Sequence, residues 1–134
     1  MKVHHVGYLV KKLERAERDF MRLGYERETD TVYDPIRQVD ISFWKNGDYR
    51  IELVSPKTEE SVVYELMKTC KNMPYHICYE TEDLEEERSR LRNQGFFPVD
   101  EPTPAVAIDG RRVCFMMSGQ SGMIELLEVG REKA

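Results

Sequence analysis

The chain repeats itself. The stretch "HHVGYLVKKLERAERDFMRLGYE" lies over "YHICYETEDLEEERSRLRNQGFF" without a gap, placing His5 on His76, Leu13 on Leu84 and Gly24 on Gly95 at a constant offset of 71 residues. Further on, "RQVDISFWKNGDYRIELVSP" lies over "RRVCFMMSGQSGMIELLEV", and Glu52 meets Glu125 after a shift of two residues. Both copies end in "IEL". A duplication constrains the fold more than any local propensity, because each copy must solve the same packing problem with the same order of elements.

That order can be read from the local patterns. "VHHVGYLV" and "YHICYE" are short and rich in aromatic and aliphatic residues, which predicts strands. In "LERAERDFMRL" the apolar residues Leu13, Ala16, Phe20 and Leu23 recur at helical spacing, and Gly24 stands where a helix C-terminal cap belongs. The second helix opens on Asp83 with Glu86 three residues later, a capping box, turns Leu84 and Leu91 inward and closes at Gly95. "RQVDISFW" and "YRIELVS" read as strands joined by "KNGD", whose Asn46-Gly47 is a hairpin signal. Each module therefore reads β-α-β-β-β, with "DTVYDP" and "DEPTPAVAIDG" open to either strand or loop. A linker helix is expected from about Glu59 to Lys71. The chain of 134 residues, 40% hydrophobic, suits one domain, made of module 1–56, linker 57–72 and module 73–129.

Composition removes several functional classes. A net charge of −5 argues against a nucleic-acid surface, and the basic residues interleave with acids, as in "KKLERAERD", the pattern of a solvated helix face. No apolar run approaches the roughly 20 residues that span a bilayer, and the N-terminus lacks the plan of a signal peptide, so a cytoplasmic protein is expected. The three cysteines, Cys70, Cys78 and Cys114, show no CxxC spacing and are expected to be buried, reduced thiols.

Only three histidines occur, and two of them stand before matched strands. Side chains alternate along a strand, so His4 and His5 face opposite sides, and the repeat selects His5 as the counterpart of His76. Glu52 and Glu125 each lie between apolar neighbours, Ile51 and Leu53 in one copy and Ile124 and Leu126 in the other, so alternation sends each carboxylate to the other face. A curved sheet could gather His5, Glu52, His76 and Glu125. Two neutral imidazoles and two carboxylates would balance a 2+ ion and leave room for water or substrate, which suits Zn, Ni, Co, Mn or Fe(II) without choosing among them. Taken singly, each of these residues is better read as ordinary core or surface; their joint repetition favours a metal site. Cys78, Phe43, Trp44, Tyr75 and Tyr79 read as core or pocket wall.

In "HHVGYLVKKLERA", "NGDYRIELVSP", "YHICYETEDLEE" and "GMIELLE" the chain resembles, in proper order, the signatures of the vicinal-oxygen-chelate superfamily, which includes glyoxalase I, methylmalonyl-CoA epimerase, fosfomycin-resistance proteins and extradiol dioxygenases. It looks most like the epimerases and their glyoxalase-like relatives. The resemblance implies an α+β fold, in which two tandem βαβββ modules form an eight-stranded, cup-shaped mixed sheet around one divalent metal, and it implies a homodimer.

It also implies a chemistry. A metal acting as Lewis acid would stabilise the enolate formed when a proton leaves the carbon beside a thioester carbonyl. Glu125 is the base that the resemblance implies, with Glu52 or Asp40 returning the proton. The first reading is thus an epimerase acting on an acyl thioester, a small-molecule substrate. A glyoxalase-type lyase acting on a thiol hemithioacetal is the second, and a non-catalytic small-molecule-binding protein the third. The sequence carries no phosphate loop, so CoA enters through the resemblance alone.

Overall fold

The computed structural model describes residues 1–130. Among them are ten strands and three helices, divided between two compact units, one of His5–Tyr75 and the other of Met1–His4 with the residues from His76 onward.

In the first unit β1 (Lys2–Leu9, entering at His5) is followed by α1 (Leu13–Arg22), β2 (Glu26–Arg27), β3 (Val32–Asp34), β4 (Val39–Asn46), β5 (Tyr49–Pro56) and α2 (Tyr64–Cys70). The strands run in the order β2-β4-β5-β1, with β3 also on β4; β1 is parallel to β5, and the other pairs are antiparallel. In the second unit β6 (Met73–Thr81, from His76) is followed by α3 (Leu84–Asn93), β7 (Phe97–Pro98), β8 (Thr103–Pro104), a 3-10 turn at Val106–Ile108, β9 (Arg112–Ser118) and β10 (Gly122–Glu128). Here the order is β6-β10-β9-β7 with β8 on β9, and β6 is parallel to β10. The two units repeat one plan.

The plan contains one strand more per module than the eight-stranded expectation allows. The segment after each helix is broken in two, and both pieces pair with the same neighbour. The break has a physical cause that the copies share. Glu28 and Thr29 both aim their amides at the Phe43 carbonyl, and the Thr29 hydroxyl accepts the Phe43 amide at 3.0 Å, so a side chain takes the place of a ladder carbonyl. In the second copy Val99 donates to the Phe115 carbonyl at 2.9 Å, and Asp100 Oδ1 accepts the Phe115 amide at 2.7 Å. Pro98, Pro102 and Pro104 supply no amides with which that edge could stay continuous.

Each helix covers one face of its sheet. Leu13, Ala16 and Phe20 of α1 pack on Val10, Trp44, Ile51 and Leu53, and Leu84 and Leu91 of α3 pack on Cys114, Met116, Ile124 and Leu126. Gly24 and Gly95 close the two helices with φ of +96° and +95°, backbone that glycine adopts at no steric cost. The Asp83 carboxylate caps α3 by accepting the Glu86 amide at 3.0 Å, as the capping box predicts. Asn46 and Tyr49 pair across a two-residue turn in which Gly47 has φ +60°.

Two expectations need correction. The linker helix is shorter than Glu59–Lys71, spanning Tyr64–Cys70, because Thr58 and Ser61 fold the preceding residues into turns. The charged face of α1 is not wholly solvated: Glu17 is 6% exposed and accepts hydrogen bonds from the Ser42 hydroxyl at 2.7 Å and Arg27 Nη2 at 2.8 Å. Trp44 Nε1 donates to the same Ser42 hydroxyl, and the Arg27 guanidinium lies 4.6 Å from the Trp44 ring centre. None of the described helices is long and apolar enough to cross a membrane.

All three cysteines are free thiols, but their settings differ. Burial, with the nearby Asp100 charge, pushes the Cys114 thiol up to about 12, whereas Cys70 is only half-buried. Native protein at pH 8 should therefore release Ellman chromophore from Cys70 alone on the minute timescale, the fast phase vanishing in Cys70→Ser. Rapid labelling of Cys114 before unfolding would show that its helix–sheet layer does not form as described.

Candidate functional site

Strand register decides which side chains share the face that the helices leave uncovered. In the first unit Phe43 stands directly across from Glu52, and Glu52 lies beside Gly7 of the parallel strand β1. Residues opposite one another share a face, and His5 is two residues from Gly7, so His5, Phe43 and Glu52 point the same way. The side chains meet. His5 Nε2 is 3.5 Å from Glu52 Oε1, with the two side chains 0% and 7% exposed, and the imidazole meets the Phe43 ring edge-on at 5.2 Å between centres.

The second unit builds the same trio. Phe115 stands across from Glu125, which lies beside Cys78 of β6, two residues from His76. His76 Nε2 is 3.1 Å from Glu125 Oε1, with side-chain exposures of 0% and 5%, and the His76 and Phe115 rings meet edge-on at 5.1 Å.

Each unit thus brings a nitrogen donor and a carboxylate oxygen together in a dry setting against an aromatic ring. A carboxylate buried in this way needs a compensating positive charge. A protonated imidazole would supply it, and so would a divalent ion, for which neutral histidine and ionised glutamate are a borderline N,O donor set well matched to Zn, Ni, Co, Mn or Fe(II). The residues present fit a metal. Of the metal candidates, His5 and Glu52 come together in one unit, and His76 and Glu125 in the other.

Asp40 does not join them. On β4 it stands across from Ser55, one residue out of phase with Phe43, and therefore faces the α1 side of the sheet, where it pairs with Lys57 at 3.2 Å. The expectation that it serves the same face as Glu52 fails on strand alternation. Acids that do face the Glu52 side include Glu26, across from Lys45, and Asp34, across from Val39 and about 13 Å along the strand from Phe43. Asp34 is committed elsewhere. Its carboxylate is 2.8 Å from Arg37 Nη1 and accepts the amides of Ile36 and Arg37.

Sequence reasoning named Phe43 as core or pocket wall but missed Phe115 and the match between the two. The second hairpin turns on three residues between Ser118 and Gly122 where the first turns on two, so a simple overlay of the two texts does not bring Phe115 onto Phe43. The available signal was the 71-residue offset that carries Thr29 onto Asp100, the side chains that fix the two phenylalanine amides.

The chain as a whole is similar to several known proteins. An ethylmalonyl-CoA/methylmalonyl-CoA epimerase of Cereibacter sphaeroides is 29% identical over 117 residues, covering 86% of this chain and 87% of that protein. The methylmalonyl-CoA epimerase of Mycobacterium tuberculosis superposes with a TM-score of 0.82 at 23% identity, over 96% of this chain and 88% of that one. A single-residue variant of the Streptomyces coelicolor methylmalonyl-CoA epimerase, in complex with 2-nitronate-propionyl-CoA, gives 0.81 at 20% identity over 100% and 98%. Both structural likenesses bear on the fold, an α+β arrangement with mixed strand pairing. Residues 4–115 match the model of a single family, and the chain belongs to the glyoxalase/bleomycin resistance protein/dioxygenase superfamily.

Proposed function

We propose that the chain is a divalent-metal-dependent epimerase of the methylmalonyl-CoA epimerase type, moving a proton at the carbon alpha to a thioester carbonyl. The observation that carries this reading is the duplicated, buried His–Glu pair, His5 with Glu52 and His76 with Glu125. Support for the substrate class comes from the relatives: one is named for ethylmalonyl-CoA and methylmalonyl-CoA, and another binds a propionyl-CoA analogue.

In this proposal His5, Glu52, His76 and Glu125 together hold one metal ion, whose 2+ charge the two carboxylates neutralise. The ion, when bound, supplies Lewis-acid stabilisation of the negative charge that builds on the thioester oxygen. Proton movement falls to the protein. During turnover the two acids share one proton: Glu125 as carboxylate takes the proton from the substrate carbon while Glu52, protonated for that step, gives its own to the opposite face, and the roles reverse in the return direction, each acid being oriented by its histidine. Phe43 and Phe115 wall the two pairs and hold each imidazole edge-on. Asp40 takes no part, since it faces the helix side of its sheet. The same reading takes the enzyme to be a cytoplasmic homodimer acting on a small-molecule acyl thioester.

The test is solvent exchange. Metal-supplemented protein with methylmalonyl-CoA in D2O should place deuterium at the alpha carbon far faster than an enzyme-free control. Glu125→Gln should lower that rate by about 100-fold or more, whereas Asp40→Asn should stay within about twofold, as expected of a surface substitution. Uptake no faster than the control would exclude epimerase activity on that thioester. Equal losses in Asp40→Asn and Glu125→Gln would overturn the assignment of roles.

A further inference from the structure

The second module carries a cationic cavity on the helix side of its sheet, away from His76 and Glu125. It has a volume of about 380 Å³ and lies between α3 and β9, with Arg88, Ser89 and Arg92 from the helix, Arg112 from the strand, and Glu85 and Glu101 beside them. Arg112 stands next in the chain to Val113, with side chains on opposite faces, and Val113 shares the face of Phe115 and Glu125.

Two of the three arginines differ from an ordinary surface pair. Arg112 is fully engaged: its Nε and Nη2 grip the two Glu128 oxygens at 2.9 Å each, and its Nη1 meets Glu85 at 2.7 Å. That contact holds the Glu85 carboxyl below its usual range. Arg88 presents the same edge of its guanidinium half-used. Its Nη2 donates to the Asp100 carbonyl at 3.1 Å and lies 3.3 Å from Glu101 Oε1, while Nε is buried with no hydrogen-bond partner. The Glu101 side chain is 82% exposed and is held there by that one long contact. Arg92, one turn further along α3, makes no ion pair among the described residues. At the matching position of the first module stands Glu17, whose carboxylate is satisfied by Ser42 and Arg27. The fold therefore does not require an arginine there.

We propose that this cavity is an oxyanion site that takes a phosphoryl group, as a phosphate monoester or a diphosphate. A tetrahedral oxyanion in the place of the Glu101 carboxylate engages Arg88 through Nε and Nη2 together, the side-on geometry that Arg112 shows with Glu128. Arg92 and the Ser89 hydroxyl complete the donor set, and Glu101 acts as a weakly held internal stand-in that the ligand displaces.

Calorimetric titration with inorganic pyrophosphate, ionic strength balanced with chloride, tests the site. Saturable binding is expected, weaker by about tenfold or more in Arg88→Gln and in Arg92→Gln, and stronger in Glu101→Gln. Arg92 and Glu101 are exposed, so their variants remain informative should Arg88→Gln fail to fold. No saturable binding by the wild type, or equal affinity in the wild type and Arg92→Gln, would overturn the proposal. Adding CoA distinguishes the sources of the phosphoryl group: competition identifies a phosphate carried by CoA, and unchanged pyrophosphate binding identifies an independent phosphorylated molecule, the site standing in either case.

Discussion

Burying a carboxylate beside an imidazole is the constraint on which the rest of each module depends. Glu52 and Glu125 sit on strands whose neighbouring residues are apolar and covered by a helix, so alternation commits each acid to the face that the helix leaves uncovered. A one-residue slip of β5 or β10 would drive the acid into the helix layer and turn Ile51 or Ile124 out of it. Tight hairpins guard against that slip: Gly47 at +60° in one turn and Gly122 at +77° at the end of the other adopt backbone that suits glycine. The broken strands contribute as well, since Thr29 and Asp100 fix the amides of the two phenylalanines that stand across from the acids.

Much of this was legible because the chain states it twice. His5 and His76 could be paired, and His4 set aside, from the repeat alone. Asp83, Gly24 and Gly95 marked helix ends through local chemistry that needs no tertiary partner. What stayed hidden depended on contacts distant in sequence. The burial of Glu17 rests on Ser42 and Arg27, and nothing in "LERAERDF" distinguishes it from its solvated neighbours. The break in the strand after each helix depends on one side chain replacing a carbonyl across the ladder. Asp40 was misplaced for a simpler reason: its face follows from pairing register, which a one-residue error inverts.

The two modules have kept the site and diverged elsewhere. His, Glu and Phe recur with nearly identical spacing and ring geometry, whereas the outer helix face replaces Glu17 with Arg88 and a self-satisfied acid network with a half-used guanidinium. Duplication followed by such divergence accords with the chemistry proposed, in which each copy contributes one carboxylate.

In the proposed site the two His–Glu pairs serve one metal. Metal content per chain, measured by elemental mass spectrometry on untagged protein purified without chelator and reloaded with Co(II), tests it most directly when wild type is compared with His5→Ala and His76→Ala. One equivalent in the wild type, lost in both variants, is the predicted result. Two equivalents in the wild type with one retained in each variant, or none in the wild type, would contradict a shared site.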